Sequence, residues 1–217
     1  MAERTALIAG ATGLVGAHLL ELLLKSPHYS EVTVLVRRPL DKRHPKLNQM
    51  VTDFETLPQL GAPHDVFCAL GTTIKKAGSQ AAFRKVDLEY PLSLARQSVE
   101  EGSRQFLLVS SVGADIRSSN FYLRTKAELE DALGALPFRS LHVYHPSFLM
   151  GQRAEERSGE KIGIVFAKAL GPLLIGSLRK YRAIPADALA RAMVECAVRI
   201  EPGRHEYSYD SFKMFVR

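Results

Sequence analysis

Ala6-Leu7-Ile8-Ala9-Gly10-Ala11-Thr12-Gly13-Leu14-Val15-Gly16 decides the fold of this chain. Its apolar start has the length of a buried strand. Gly10, Gly13 and Gly16 follow at the spacing GxxGxxG, and an amphipathic run from Leu14 to Lys25 comes next. Glycine supplies backbone angles that other residues resist and lets another molecule approach the main chain. A helix that opens there presents free N–H groups and a partial positive charge, which together bind phosphate. A strand, a glycine turn and a helix in this order form a dinucleotide-binding device. Its contact residues are expected to be Gly10, Thr12, Gly13, Leu14, Val15 and Gly16.

Outward from this segment, strands and helices alternate. Ala6–Gly10, Glu31–Val36, Met50–Thr52, Asp65–Leu70, Gln105–Ser110 and Ser140–Tyr144 read as strands. Leu14–Lys25, Gln80–Glu101 (with a bend at Pro91) and Asn120–Leu133 carry helical periodicity. Continuous apolar strands separated by amphipathic helices predict an α/β fold: a doubly wound, Rossmann-like parallel sheet covered on both faces. The 217 residues suffice for one domain spanning 1–217. Past His145 the pattern loosens. A polar loop over Gly151–Glu160, a helix near Lys161–Leu170, a Gly-Pro turn and a helix capped by Asp187 and running to Arg199 are expected there. That tail, from about residue 147 to 217, is read as the substrate side of the cleft.

Composition narrows the class. Apolar residues make up 46% and charged residues 24%, and no apolar run is long enough to span a bilayer. The strand begins too close to Met1 to leave room for a signal peptide. Two distant cysteines, Cys68 and Cys196, predict neither a disulfide framework nor a metal site, and point to a reducing cytoplasm. The net charge is +6, but the densest basic cluster, Lys42, Arg43, His44 and Lys46, has no interleaved aromatics. A pocket for an anionic ligand therefore fits better than a nucleic-acid surface.

In a doubly wound sheet, ligands bind beyond the carboxyl ends of the strands. The residue after the second strand meets the adenosine ribose, and an acidic residue there would accept from a 2′-hydroxyl. This chain places Arg37 and Arg38 at that point. A guanidinium matches a 2′-phosphate, so NADP(H) is favoured over NAD(H). The alternative is a charged strand terminus. Asp53 either reaches the adenine amine or caps a turn before Glu55. Leu70, Gly71 and Thr72, ending the fourth strand, would let the cofactor pass close to the backbone.

Tyr122-Leu123-Arg124-Thr125-Lys126 puts a phenol and an ammonium one helical turn apart on the same face. An ammonium stabilises a phenolate, and such a phenol can exchange the proton that accompanies hydride transfer. Just upstream, Leu107-Leu108-Val109-Ser110-Ser111 ends the fifth strand in hydroxyls. Either could hydrogen-bond a substrate carbonyl.

Serine, tyrosine and lysine in this order behind a glycine-rich first turn resemble the short-chain dehydrogenase/reductase superfamily, over nearly the whole chain. The GxxGxxG spacing resembles its extended and atypical branches. Ser110-Ser111-Val112-Gly113-Ala114-Asp115, Ser118-Ser119-Asn120-Phe121 and Tyr122–Lys126 resemble most the Tat-interacting-protein group. The resemblance implies an NADPH-binding oxidoreductase with a carbonyl or alcohol substrate. It makes Ser111 the catalytic serine, with Ser110 as alternative, Tyr122 the general acid/base, and Lys126 the residue that holds the nicotinamide ribose. His145-Pro146 stands where the superfamily has a segment beside the nicotinamide, more often Arg-Pro-Gly. The relay asparagine of other branches falls near Val86-Asp87-Leu88, leaving Asp87 or a water to serve. That departure motivates a second reading, a catalytically weak NADPH-binding module acting through a protein partner. Helix packing against a second subunit is the further expectation by analogy.

Overall fold

The computed structural model describes residues 4–151 and 174–212. Its main sheet has seven strands, β1 (Arg4–Ala9), β2 (Tyr29–Val36), β3 (Leu47–Val51), β4 (Asp65–Cys68), β5 (Gln105–Val109), β6 (Ser140–Tyr144) and β9 (Gly203–Tyr207). They lie in the order β3-β2-β1-β4-β5-β6-β9, and every pairing is parallel. Strand order reverses between β1 and β4, which opens a crevice above their carboxyl ends.

Alternation along the strands divides the core. Ile8, Val34, Phe67 and Leu107 face one layer, where α1 (Leu14–Lys25) and α6 (Ala186–Arg199) pack against each other. Leu7, Leu35, Cys68, Phe106 and Val143 face the other, covered by α4 (Tyr90–Glu100) and α5 (Phe121–Gly134). Short helices α2 (Ile74–Ala77) and α3 (Gln80–Arg84) lead into α4, capped by Thr73 and Ser79 side chains.

The expected long helix from Gln80 is continuous, but its irregularity lies ahead of Pro91. Lys85–Glu89 form a π-helical turn, in which the Tyr90 N–H donates to Lys85 O. Proline brings no N–H to the ladder, so the helix is locally loosened just where Pro91 enters it.

Within the tail, α6 supplies core side chains and β9 completes the main sheet against β6. Asp187 does not cap α6: it lies in the first turn and pairs with Arg191 at 2.7 Å. Strands β7 (Leu149–Met150) and β8 (Ile184–Pro185) form a separate small ladder, and a 3-10 turn spans Gly176–Tyr181. Short α7 (Tyr209–Phe212) buries Phe212 in the core. Most of the loop expected after Gly151, the helix near 161–170 and the Gly-Pro turn lie outside the described residues. Among the described residues, no helix is long and apolar enough to cross a membrane.

Candidate functional site

The first βα turn is built by close backbone approach. Gly10 has φ +91°, and a Cβ on it would lie 2.5 Å from Ala69 O. A Cβ on Gly16 would lie 2.0 Å from Gly10 O. Protein packing alone thus demands glycine at both positions. Gly13 is different: its N–H donates to Gly10 O at 2.9 Å, and a Cβ there would meet only Gly10 O at 3.2 Å and Ala69 O at 3.9 Å. Gly13 is the N-cap of α1, with no side-chain cap and no acidic residue in the first turn. The first i→i−4 bond runs from Ala17 to Gly13, so the N–H groups of Leu14, Val15 and Gly16 precede the helical ladder. Thr12 is exposed beside them.

Arg37 and Arg38 follow β2 and are exposed. Neither makes an ion pair or hydrogen bond among the described residues. Asp53 is exposed and accepts the Glu55 N–H at 2.9 Å through Oδ1, the geometry of a turn. Beyond β4, Leu70 and Thr72 are half-buried and Gly71 is exposed.

Helix α5 carries the reactive groups. Asn120 caps it, its Oδ1 accepting from the N–H groups of Tyr122 and Leu123 at 2.9 and 3.4 Å. The Tyr122 ring lies against Phe83, with centroids 5.6 Å apart, and Lys126 Nζ is 6.0 Å from the Tyr122 centroid. Lys126 is buried, with Nζ 2.8 Å from Asp87 Oδ1. Burial pushes its ammonium down, but Asp87 and, more weakly, Tyr122 and Cys68 outweigh this, and Lys126 is held above the usual lysine value. Asp87 Oδ2 also accepts the Thr72 N–H at 2.8 Å. A Cβ on Gly71 would come within 3.5 Å of Asp87 Oδ1 and 3.9 Å of Lys126 Nζ. The Asp87–Lys126 pair therefore lies directly beneath Gly71.

The two serines separate clearly. Ser110 is buried and its hydroxyl donates to Glu130. Ser111 is half-buried, with only a weak 3.4 Å bond to its neighbour's carbonyl. The segment after it is held by Val112 N–H on Pro146 O at 2.9 Å, and Gly113 (φ +81°) lies against Leu123 of α5. Ser111, Pro146 and the start of α5 are thus brought into one corner. His145 points Nε2 at Glu130, 3.0 Å away, while its N–H donates to Tyr207 O. Glu130 had no place in the sequence reading. The signal was its position one turn past Lys126 on the same face, beside the apolar Leu129 and Leu133 of the buried side. Cys68 is a core residue whose thiol burial pushes up to about 11, which removes it as a nucleophile.

A parallel sheet whose strand order reverses between β1 and β4, a glycine-built first βα turn and a helix bearing Tyr122 and Lys126 together define an atypical member of the short-chain dehydrogenase/reductase fold. The chain belongs to the HIM1 family, whose model matches residues 33–169. It is 36% identical over 213 residues to protein HTATIP2 of Rattus norvegicus, covering 95% of this chain and 86% of that protein. It is 33% identical over 212 residues to mitochondrial protein FMP52 of Coccidioides immitis, covering 89% and 85%. Among solved structures, MoeE5 in complex with UDP-glucose and NAD superposes with TM-score 0.71 at 18% identity, over 97% of this chain and 80% of that one. A putative NAD-dependent epimerase/dehydratase from Bacillus halodurans does so with TM-score 0.68 at 20% identity, over 94% and 92%. These two likenesses establish the fold. One expectation is overturned: FMP52 relatives from several fungi carry the designation mitochondrial, against the cytoplasmic setting inferred from cysteine content. Cysteine usage reports a reducing compartment and does not distinguish between reducing compartments.

Proposed function

We propose that this protein is an NADP(H)-dependent oxidoreductase acting on a carbonyl or alcohol carbon. One observation carries the reading. The carboxyl edge of the sheet carries the uncapped first N–H groups of α1, the exposed Arg37 and Arg38, unpaired among the described residues, and the Lys126 ammonium, paired with Asp87. That donor set suits a dinucleotide with an extra phosphate. The residues present fit such a cofactor, because α1 is uncapped, Gly13 at its N-cap has no side chain, and the exposed Gly71 lies over the Lys126–Asp87 pair.

In this reading Gly10, Thr12, Gly13, Leu14, Val15 and Gly16 cradle the pyrophosphate. Arg37 and Arg38 take the 2′-phosphate, and Asp53 retains Oδ2 for the adenine amine. Leu70, Gly71 and Thr72 form the floor, with Ser110, His145 and Pro146 closing the nicotinamide end. The cofactor supplies or receives hydride at the nicotinamide ring. Ser111 orients the substrate oxygen, its hydroxyl being free where that of Ser110 is engaged. Tyr122 donates or accepts the proton at that oxygen, and the Lys126 charge favours its phenolate. Residues 147–151 and 174–185, joined by the β7–β8 ladder, frame the substrate side. The names of the FMP52 relatives favour a mitochondrial setting.

Tyr122→Phe tests the reading. It should abolish NADPH oxidation across a panel of aldehydes and ketones while leaving NADPH affinity within about threefold, since less than about 0.7 kcal/mol of binding energy is touched. Full activity in that variant refutes the assigned acid. Binding without turnover in the wild type replaces the enzyme with a cofactor-binding module. Arg37→Ala and Arg38→Ala should each weaken NADPH about tenfold or more, the worth of a charged hydrogen bond, and leave NADH unchanged.

A further inference from the structure

Asp87 is a carboxylate with two partners on two different elements. It sits in the π-helical turn, 1% exposed, and reaches both the reactive helix and the loop after β4. Oδ1 lies 2.8 Å from Lys126 Nζ, and Oδ2 accepts the Thr72 N–H at 2.8 Å. π-turns inside helices concentrate at functional sites, because the extra residue re-aims a side chain. Here the wider turn buries Asp87 under Gly71, where an added Cβ would come within 3.5 Å of Asp87 Oδ1 and 3.9 Å of Lys126 Nζ.

We infer that Asp87 is the positioning residue of this site, clamping the Lys126 ammonium to the Thr72 backbone so that helix α5 and the crevice loop keep one geometry for the cofactor. This rests on the oxidoreductase reading above. Asp87 touches no substrate and acts through Lys126. Its charge is the essential part. The groups facing Lys126 are Asp87 from the π-turn, Tyr122 from α5 and Cys68 from β4. The Cys68 thiol is pushed up to about 11 by burial and stays neutral in the working range. Without the Asp87 charge, desolvation acts on Lys126 against little opposition, and a buried lysine then gives up its proton near neutral pH. An asparagine keeps the size and the carbonyl acceptor for Thr72 but not the charge.

The test compares wild type, Asp87→Asn and Asp87→Ala by NADPH fluorescence titration between pH 7 and 9.5, roughly the range in which a displaced lysine titrates. Wild-type affinity should vary less than about threefold over that range, because Lys126 remains charged. In Asp87→Asn, affinity should fall with rising pH, approaching about tenfold per unit once Lys126 deprotonates. Affinity equal to wild type at every pH overturns the proposal. So does a weakening that does not depend on pH, which is what a merely structural role would give. Exchange of the Thr72 amide, followed by NMR without cofactor, gives the second readout. Protection should drop at least about tenfold in Asp87→Ala and persist in Asp87→Asn, in line with loss of a hydrogen bond worth about 1.5 kcal/mol. Unchanged protection in Asp87→Ala overturns the clamp. Should wild type bind no NADPH, the oxidoreductase reading falls, and the amide measurement still decides the clamp. Should Asp87→Ala fail to fold, Asp87→Asn carries the pH test alone.

Discussion

Replacing Gly13 and Gly16 by alanine, one at a time, separates what the protein needs from what the ligand needs. At Gly16 the new Cβ would lie 2.0 Å from Gly10 O and 2.7 Å from Gly10 C, against an ordinary contact of 3.4 Å or more. Backbone cannot rotate out of the way as a side chain can, so the turn must retreat by more than an ångström. Overpacking of this kind costs about 1–3 kcal/mol. For a chain of this size that lowers the melting temperature by about 2–12 °C, at roughly 2–4 °C per kcal/mol. At Gly13 the nearest atom is Gly10 O at 3.2 Å, and the turn needs to yield only a few tenths of an ångström. Exchange of glycine for alanine at this N-cap costs under about 1 kcal/mol, at most about 4 °C. In the proposed binding mode, however, the added methyl group takes up space at the N-cap of α1 that a phosphate closing on its uncapped N–H groups would use. Charged hydrogen bonds of that kind are worth about 1.5–3 kcal/mol each. Gly13→Ala should therefore lose about tenfold or more in NADPH affinity with an almost unchanged melting curve, whereas Gly16→Ala should lose stability first. Fluorescence titration and thermal circular dichroism read the two effects. Wild-type NADPH affinity in Gly13→Ala would refute the assignment of this turn to the pyrophosphate.

The serines and a buried histidine give further tests. Ser111→Ala should lower kcat about 10²-fold, as removal of a transition-state donor does. Ser110→Ala should instead cost stability, about 1–3 kcal/mol for the acceptor left behind on buried Glu130, with kcat within about tenfold of wild type; reversed results would move the substrate oxygen to Ser110. His142 is fully buried, stacked on His205, with Nε2 near Gln105 and Nδ1 near Tyr207. Burial, and then the neighbouring His205, push it from 6.5 down to about 4. A folded value below the unfolded one means that the unfolded chain takes up the proton first. Its stability contribution is complete above about pH 6.5 and is lost as pH falls toward 4, about 3 kcal/mol in all. Asp65, across Gln105, opposes this, since burial raises its carboxyl and protonation there favours the fold. The difference between wild type and His142→Gln in urea melts isolates the histidine, and a difference flat from pH 7 to 4 contradicts its burial as a neutral ring.

Much of the sheet could be read because its strands are continuous apolar runs. Val32 to Val36 or Phe106 to Leu108 admit no other burial. Strand β9 could not be read that way. Gly203-Arg204-His205-Glu206-Tyr207 is polar throughout, and it pairs at the sheet edge, where half of each strand meets water. The π-turn was equally hidden, because Lys85-Val86-Asp87-Leu88-Glu89 has ordinary helical composition and the extra residue shows only in the hydrogen bonds. Asp187 looked like a cap because aspartate favours helix starts. Pro185 occupies the cap position, and the carboxylate finds Arg191 one turn on. On the candidate site, motif spacing singled out Tyr122 and Lys126, whose side chains lie together on α5. It missed Glu130 and could not choose between the serines, for both questions turn on which hydroxyl a buried acid captures.

That distinction is general in this molecule. From the amino edge of the sheet, at the first residues of β1, β2, β4 and β5, a polar chain runs across six strands to Tyr207 at the end of β9. Arg4 and Tyr29 donate to Asp65, Gln105 donates to Asp65, and His142 joins Gln105 to Tyr207. These are buried, charged and titratable groups of the kinds that populate active sites, and they are bonded to one another. At the carboxyl edge of the same strands, Arg37, Arg38, the Ser111 hydroxyl and the first amides of α1 have no comparable partners among the described residues, and Lys126 has Asp87. Residue type cannot tell these two edges apart. Satisfaction can: the polar groups of the first are bonded to one another within the fold, whereas the donors of the second are left to water or to a ligand that offers phosphate and hydroxyl acceptors.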